Sequence, residues 1–306
     1  MEITEKYSYS KLEVYVNCPF KYKLIYVDKI KAFTQSVATE LGTLVHETEE
    51  AIAHAIQEKR AINYDALKQR FIAKREEIKN KYPVDYEVKD KAGTTYEEKT
   101  TKYLETGIYN LEKFMKAHPT YEIVGIEQSF NFKYKKSYTF IGYIDRVFRD
   151  TATNHYIIQD IKTWPVPHEQ KELTTPLQFV VYAMAARQLW GVGTESISCE
   201  YYLPFCELTQ SAGTKGYLAR GVSKIEKIFA GILEKSFAPK PSPLCNYCAF
   251  CPTSPEAPAH TKHMCPYFSH WTRENRKDFS TENEWMGMEN HEYILEAYHK
   301  QYGIKG

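Results

Sequence analysis

Two acidic residues and a lysine occupy positions from which they could form a hydrolytic metal site. Asp145 closes the apolar segment FIGYID, and Asp160 and Lys162 follow in IIQDIKT. Because alternate residues of a strand point to the same face, Asp160 and Lys162 are expected on one face. Paired carboxylates are suitable ligands for a hard cation such as Mg²⁺ or Mn²⁺. The cation lowers the pKa of a bound water, and a lysine can orient that water or stabilise the negative charge that develops during hydrolysis. An isolated Asp-x-Lys is more often a pair of ordinary strand-end charges, so the interpretation depends on neighbouring motifs.

Further polar residues accompany these segments. Gln178 and Tyr182 lie four residues apart in LQFVVYA, which places them on one face of a predicted helix. His46 ends the segment GTLVH; a histidine on a half-apolar helix is usually structural, but its position ahead of the strands favours a role as a ligand. Glu127, on the first strand-like segment, is interpreted as a solvated strand residue, with an extra metal-site or DNA-facing carboxylate as the alternative.

The secondary-structure pattern predicts an α/β core that would position these residues. Strand-like segments cover 121–134, 137–150, 155–164 and 195–205, and a helix covers 174–191 and ends at Gly191. This order predicts a central mixed β-sheet flanked by helices. Helices are also expected over 8–27, 38–59 and 217–236. We divide the chain into N-terminal helices with Cys18 and His46 (1–63), a helical insertion interrupted near Pro83 (64–120), the core (121–238), a cysteine-rich segment (239–270) and a helical tail (271–306).

Charge and hydropathy limit the kinds of partner. The 306 residues include 40 basic and 39 acidic side chains, so nucleic-acid binding would need a local patch. No apolar stretch approaches the roughly 20 residues of a membrane span, and no signal peptide or GxxxxGK[ST] loop is found. We expect a cytoplasmic protein in a reducing compartment, with no membrane partner and no helicase motor, and a phage origin is compatible with this. Candidates for a phosphate-tracking groove are Lys21, Tyr22, Lys23, Lys133, Lys135, Lys136, Arg146 and Arg187.

The seven cysteines suggest a metal centre rather than disulfides. Their number is odd, and five of them form a dispersed set, namely Cys18, Cys245, Cys248, Cys251 and Cys265. Cys199 and Cys206 are expected to be small buried hydrophobes. Four thiolates can hold a [4Fe–4S] cluster. The alternative is structural Zn²⁺ bound by the four C-terminal cysteines of the set, or with His260 or His263 as a ligand.

Together, GTLVH, GYID, QDIKT and LQFVVYA resemble the motifs of the PD-(D/E)xK nuclease superfamily, and within it the RecB-like branch that includes AddB-type and CRISPR-adaptation exonucleases. The resemblance implies a restriction-endonuclease-like fold. Asp160 stands where glutamate is commoner. The implied catalytic residues are His46, Asp145, Asp160, Lys162, Gln178 and Tyr182, and the implied metal ligands are His46, Asp145, Asp160 and Ile161.

The same branch carries a C-terminal iron–sulfur staple. The N-terminal segment SKLEVYVNCPFKY is similar to its first part, which implies a [4Fe–4S] cluster on Cys18, Cys245, Cys248 and Cys265, with Cys251 as the alternative fourth ligand.

The resemblance implies a metal-dependent DNA nuclease, an exonuclease that acts on single strands or DNA ends. The expected partners are DNA and helicase, recombination or CRISPR-adaptation proteins. Two alternatives remain: a catalytically silent DNA-binding or assembly subunit, and an RNA-directed phosphodiesterase.

Overall fold

A computed structural model describes residues 5–32, 35–90, 92–174, 176–213, 216–251, 254, 257–262 and 264–265. The predicted helical tail over 271–306 and His263 lie outside the described residues. The chain forms two compact units. The first comprises Met1–Tyr9 and Gln35–Lys224, and the second comprises Ser10–Thr34 and Ile225–Gly306.

Within the described residues, six strands of the first unit form one mixed sheet. They are, in chain order, β1 (Glu5–Tyr7), β2 (Tyr121–Tyr134), β3 (Tyr138–Asp150), β4 (His155–Ile161), β5 (Ile197–Leu203) and β6 (Leu208–Ala212). The order across the sheet is β1-β3-β4-β5-β6, and β2 pairs with β3. Pairs β1–β3 and β4–β5 are parallel, whereas β2–β3, β3–β4 and β5–β6 are antiparallel.

Nine α-helices occur in the described residues. They are α1 (Tyr9–Asn17), α2 (Pro19–Tyr22), α3 (Val37–Gln57), α4 (Tyr64–Lys81), α5 (Pro83–Tyr86), α6 (Tyr96–Glu105), α7 (Asn110–Ala117), α8 (Leu177–Trp190) and α9 (Tyr217–Leu233). Helix α3 begins where the Ser36 side chain accepts a hydrogen bond from the Thr39 amide. Helix α8 ends at Gly191, which adopts the left-handed conformation that glycine takes without steric cost.

The order strand, strand, strand, helix, strand predicted for the core is confirmed by β2, β3, β4, α8 and β5. Strands β1 and β6 were not predicted, because they are only three and five residues long. The single helix predicted over 8–27 is wrong, because the chain is extended at Cys18. There the Cys18 sulfur accepts a hydrogen bond from the Lys21 amide, and Pro19 begins the new helix α2. A π-helical turn, Lys23–Val27, follows α2.

Each unit has its own apolar core. In the first unit, buried residues of α3 such as Leu44 and Ile52 pack with Phe71 of α4, Tyr103 of α6 and Phe148 of β3. This core holds α3 against the sheet. In the second unit, the core residues are Phe20, Leu24, Ile30, Phe250 and Met264.

A search of the described residues for membrane-spanning helices finds none with the required length and apolar character.

Candidate metal centre

The two predicted carboxylates lie side by side where β3 and β4 separate. The last paired residues of these strands are Arg146 and Gln159, so Asp145 and Asp160 face each other one step further along. Asp145 Oδ2 accepts a hydrogen bond of 2.7 Å from the amide of Ile161. Asp160 Oδ2 lies 2.8 Å from the ammonium nitrogen of Lys162. The strand ends therefore place both acids and the lysine together.

His46 reaches this site from α3. Its Nε2 lies 2.9 Å from the carbonyl oxygen of Ile161, and its Nδ1 lies 3.7 Å from Asp145 Oδ2. Because a carbonyl oxygen only accepts, Nε2 carries the proton in this arrangement, and in the neutral ring Nδ1 presents a lone pair toward Asp145. Burial lowers the pKa of His46, which favours this neutral form.

Glu127 of β2 completes a group of three side chains that could hold a metal ion, which favours the alternative interpretation of this residue, a metal-site carboxylate, over a solvated strand residue. His46, Glu127 and Asp145 each offer one ligand atom, and these three atoms lie within 4.8 Å of one another. Glu127 has a φ of 41°, a left-handed conformation that is uncommon for a residue with a side chain. It follows a register shift of the β2–β3 pair between Ile123 and Gly125. The distorted strand aims this carboxylate into the site.

The site concentrates negative charge in a buried setting. Burial raises the pKa of Asp145 and of Asp160, although Lys162 opposes the shift at both. Burial and the nearby Asp145, Glu50 and Asp160 raise the pKa of Glu127 to about 7. Carboxylates that are buried together disfavour their charged forms, and a bound divalent cation would relieve this cost.

The predicted pair on α8 supports Asp160. The Gln178 amide nitrogen donates to Asp160 Oδ1 at 2.6 Å and to the Tyr182 hydroxyl at 3.0 Å. Burial raises the pKa of Tyr182, which therefore stays neutral. One connected region thus contains all six predicted catalytic side chains, together with the backbone of Ile161.

A sequence profile of the PD-(D/E)XK nuclease superfamily matches residues 6–253, most of the chain. The chain belongs to this superfamily. The mixed α/β architecture agrees with a restriction-endonuclease-like fold, and the superfamily implies a nuclease. A search of curated proteins gives no match.

A buried polar network that was not predicted from the sequence lies behind the candidate metal centre of this PD-(D/E)XK protein. Arg146, next to Asp145, contacts Glu49 through Nη1 and Oε2 at 3.2 Å and donates from Nε to Gln159 at 2.8 Å. Glu49, three residues after His46 on α3, has no exposed side-chain surface, and Arg146 has 2%. The network therefore joins α3, β3 and β4, each through a residue within three positions of a predicted ligand.

Two residues proposed for a phosphate-tracking groove cannot serve there, because Arg146 and Tyr22 are buried. Lys23 is engaged in an ion pair with Asp28 at 2.7 Å in the second unit. Lys133 on β2 and Arg187 on α8 are exposed, as expected. The sequence does not show that Arg146 is buried whereas Arg187 is exposed, because Glu49, the partner of Arg146, is distant along the chain.

The second unit of this superfamily member gathers the five dispersed cysteines around one cavity of about 200 Å³. Backbone hydrogen bonds form consecutive turns, from Cys248 N to Cys245 O at 3.1 Å and from Cys251 N to Cys248 O at 3.0 Å. The amide of Cys265 returns to Phe250 O at 3.1 Å. Among the described residues, no three of the cysteine sulfurs lie within 4.8 Å of one another. Cys199 is buried as predicted, whereas Cys206 is only partly buried.

Proposed function

We propose that this protein is a metal-dependent DNA nuclease whose centre is formed by His46, Glu127, Asp145, Asp160 and Lys162. The observation that carries the proposal is the convergence of three ligand atoms, from His46, Glu127 and Asp145, within 4.8 Å. An imidazole and two carboxylates fit a hard divalent cation, whose neighbouring ligands at about 2.1 Å lie about 3 Å apart. The raised pKa of Glu127 supports the fit, because the neighbouring charges that raise it, those of Asp145, Glu50 and Asp160, are all negative.

When bound, Mg²⁺ or Mn²⁺ would lower the pKa of a water and neutralise charge on the phosphate. His46, Glu127 and Asp145 would hold the ion, and Asp160 would be a further carboxylate available to it. The hydrogen bond from Gln178 fixes the Asp160 carboxylate so that its other oxygen faces Lys162. The side chain of Lys162 is 29% exposed, which lets its ammonium group contact both Asp160 and an incoming phosphodiester. Lys162 is therefore placed to stabilise developing negative charge and to exchange a proton with solvent.

We further propose exonuclease action on single strands or DNA ends, as in the RecB-like branch whose motifs the chain resembles, with helicase, recombination or CRISPR-adaptation proteins as partners. The test uses end-labelled single- and double-stranded DNA and RNA with Mg²⁺, Mn²⁺ or EDTA. Asp160→Ala and Lys162→Ala should abolish cleavage while leaving the circular dichroism spectrum unchanged. Full activity of both variants would remove the site assignment. Preference for RNA would favour the phosphodiesterase alternative, and no cleavage under any condition would favour a silent assembly subunit.

The cysteine-lined cavity supports a second proposal, a [4Fe–4S] cluster held by Cys18, Cys245, Cys248 and Cys265, with Cys251 as the alternative ligand. All five cysteines line one cavity, and burial raises the pKa of Cys245 to about 11, which a positively charged iron centre would reverse. Anaerobically purified protein should absorb broadly near about 400 nm and contain about four irons per chain. Stoichiometric zinc without that absorption would establish the structural Zn²⁺ alternative instead.

A further inference from the structure

One face of the β2–β3 hairpin is open to solvent along a line that starts at the metal centre. On β2, Ser129, Asn131 and Lys133 are exposed, whereas the intervening Phe130 and Phe132 are buried. The buried face is packed: the ring of Phe130 lies 6.0 Å from that of Tyr182. The alternation gives the hairpin one structural face and one free face.

Tyr143 is the aromatic residue of the free face. Its side chain is 61% exposed, although it stands in the middle of β3. Its cross-strand partner is Ser129, whose small side chain cannot cover a tyrosine ring. Tyr143 also lies two residues before Asp145, about 7 Å away along the strand. A ring held on a rigid strand is therefore presented to solvent next to a metal ligand.

The hairpin also provides the local positive charge that the chain as a whole lacks. From Gln128 to Ile144 the sequence contains three lysines, Lys133, Lys135 and Lys136, and no acidic residue. This segment carries a formal charge of +3, against +1 for all 306 residues. A cationic strand pair with an exposed aromatic ring, continuous with a phosphodiester-cleaving centre, has the features of a surface that binds unpaired nucleic acid.

We propose that the free face of this hairpin, formed by Tyr143, Asn131 and Lys133, is a binding subsite for single-stranded nucleic acid next to the cleaved bond. This inference rests on the proposed nuclease function and assigns its substrate as a strand with unpaired bases. Tyr143 stacks on a base, and Lys133 contacts a phosphate further along the strand. A paired base in a duplex is already stacked on both sides, so the subsite favours single strands over duplexes.

The test measures binding of a fluorescent oligothymidylate and of a blunt duplex by anisotropy in EDTA, with the full chain. Base–aromatic stacking contributes about 1–3 kcal/mol, so Tyr143→Ala should weaken oligothymidylate binding about 5- to 150-fold. Tyr143→Phe keeps the ring and should bind within about twofold of the wild type. Lys133→Ala should reduce the slope of log K against log salt concentration by about 0.7, the value for one phosphate contact on a single strand. Lys89→Ala, an exposed lysine of the helical insertion, is the matched control and should not change the slope.

Three results would overturn the subsite: unchanged oligothymidylate affinity in Tyr143→Ala, an equal loss of duplex binding, or a loss in Tyr143→Phe as large as in Tyr143→Ala. Cleavage of bis(p-nitrophenyl) phosphate with Mn²⁺, a phosphodiester that carries no base, tests the metal centre separately. If the wild type cleaves this ester but Tyr143→Ala binds normally, the subsite fails and the nuclease function stands. If no substrate is cleaved but the binding differences occur, the nuclease function fails and the subsite stands.

Discussion

Replacing both residues of the buried Glu49–Arg146 pair should cost less stability than the two single replacements added together. The two side chains are 0% and 2% exposed, and their charged atoms lie 3.2 Å apart. Removing one partner strands the other charge in the interior, which costs about 3–5 kcal/mol. We therefore expect Arg146→Met or Glu49→Leu alone to lower the melting temperature by about 6–20 °C, using about 2–4 °C per kcal/mol for a unit of this size.

The double variant Glu49→Leu/Arg146→Met removes both charges and fills the same space with apolar atoms, which is often neutral for a buried pair. Two polar groups still lose a partner, because the Tyr103 hydroxyl donates to Glu49 at 2.9 Å and Gln159 accepts from Arg146. Each unsatisfied group of this kind costs about 1–3 kcal/mol. The double variant should therefore lose about 2–6 kcal/mol, less than the roughly 6–10 kcal/mol of an additive pair.

The test is a double-mutant cycle of four proteins: the wild type, the two single variants and the double variant. Their free energies of unfolding are measured by thermal and urea unfolding followed by circular dichroism. Arg146→Lys is the charge-preserving control and should fall between the wild type and Arg146→Met, because lysine keeps the charge but loses the planar contact with Gln159. Additive losses in the double variant would refute the reasoning, since they would show that the two residues do not stabilise each other.

Three further predictions concern single residues. Glu127→Gln should weaken Mn²⁺ binding at least about tenfold in calorimetry. The control Glu122→Gln, at the exposed start of the same strand, should bind Mn²⁺ as the wild type does. Equal Mn²⁺ affinities of Glu127→Gln and the wild type would remove Glu127 from the centre. Burial raises the pKa of Asp90, but its lysine partner and two backbone amides outweigh this and lower it to about 2, so its contribution is complete above about pH 5 and is lost as the pH falls through 2 toward 1. Asp90→Asn should therefore cost about 1–2 kcal/mol at pH 7 and nothing near about pH 1 in urea unfolding, and a pH-independent difference would contradict this ion-pair explanation. Cys18→Ser should abolish the absorption near about 400 nm while Cys206→Ser retains it, and persistence of the colour in Cys18→Ser would exclude that ligand.

The sequence predicted elements whose signal is local. Strands β2 to β5 and helix α8 show continuous apolar or amphipathic patterns, and Gly191 marks a helix end by its own chemistry. Strand β1 was missed because three residues are too short to show a period, and its pairing with β3 is made more than a hundred residues away. The extended conformation at Cys18 was also missed, although Pro19 is a local signal for the start of a helix.

The site shows the same division between local and distant causes. Asp160 and Lys162 were predictable because they are spaced two apart on one strand, and Gln178 and Tyr182 because they are spaced four apart on one helix. Glu127 was not, because its approach depends on a positive φ and a register shift that no residue type announces. Arg146 was placed on the surface by its type alone, since only the folded chain brings Glu49 to it.

The most direct test of a metal-dependent nuclease centre is to measure Mn²⁺ binding and DNA cleavage on the same preparations of wild type, Asp145→Ala and Lys162→Ala. The wild type should bind Mn²⁺ and cleave a single-stranded oligonucleotide, and Asp145→Ala should do neither. Lys162→Ala should still bind Mn²⁺ but not cleave, because the lysine acts on the reaction rather than as a ligand. Cleavage by the wild type that persists in EDTA, or Mn²⁺ binding that is unchanged in Asp145→Ala, would contradict the account.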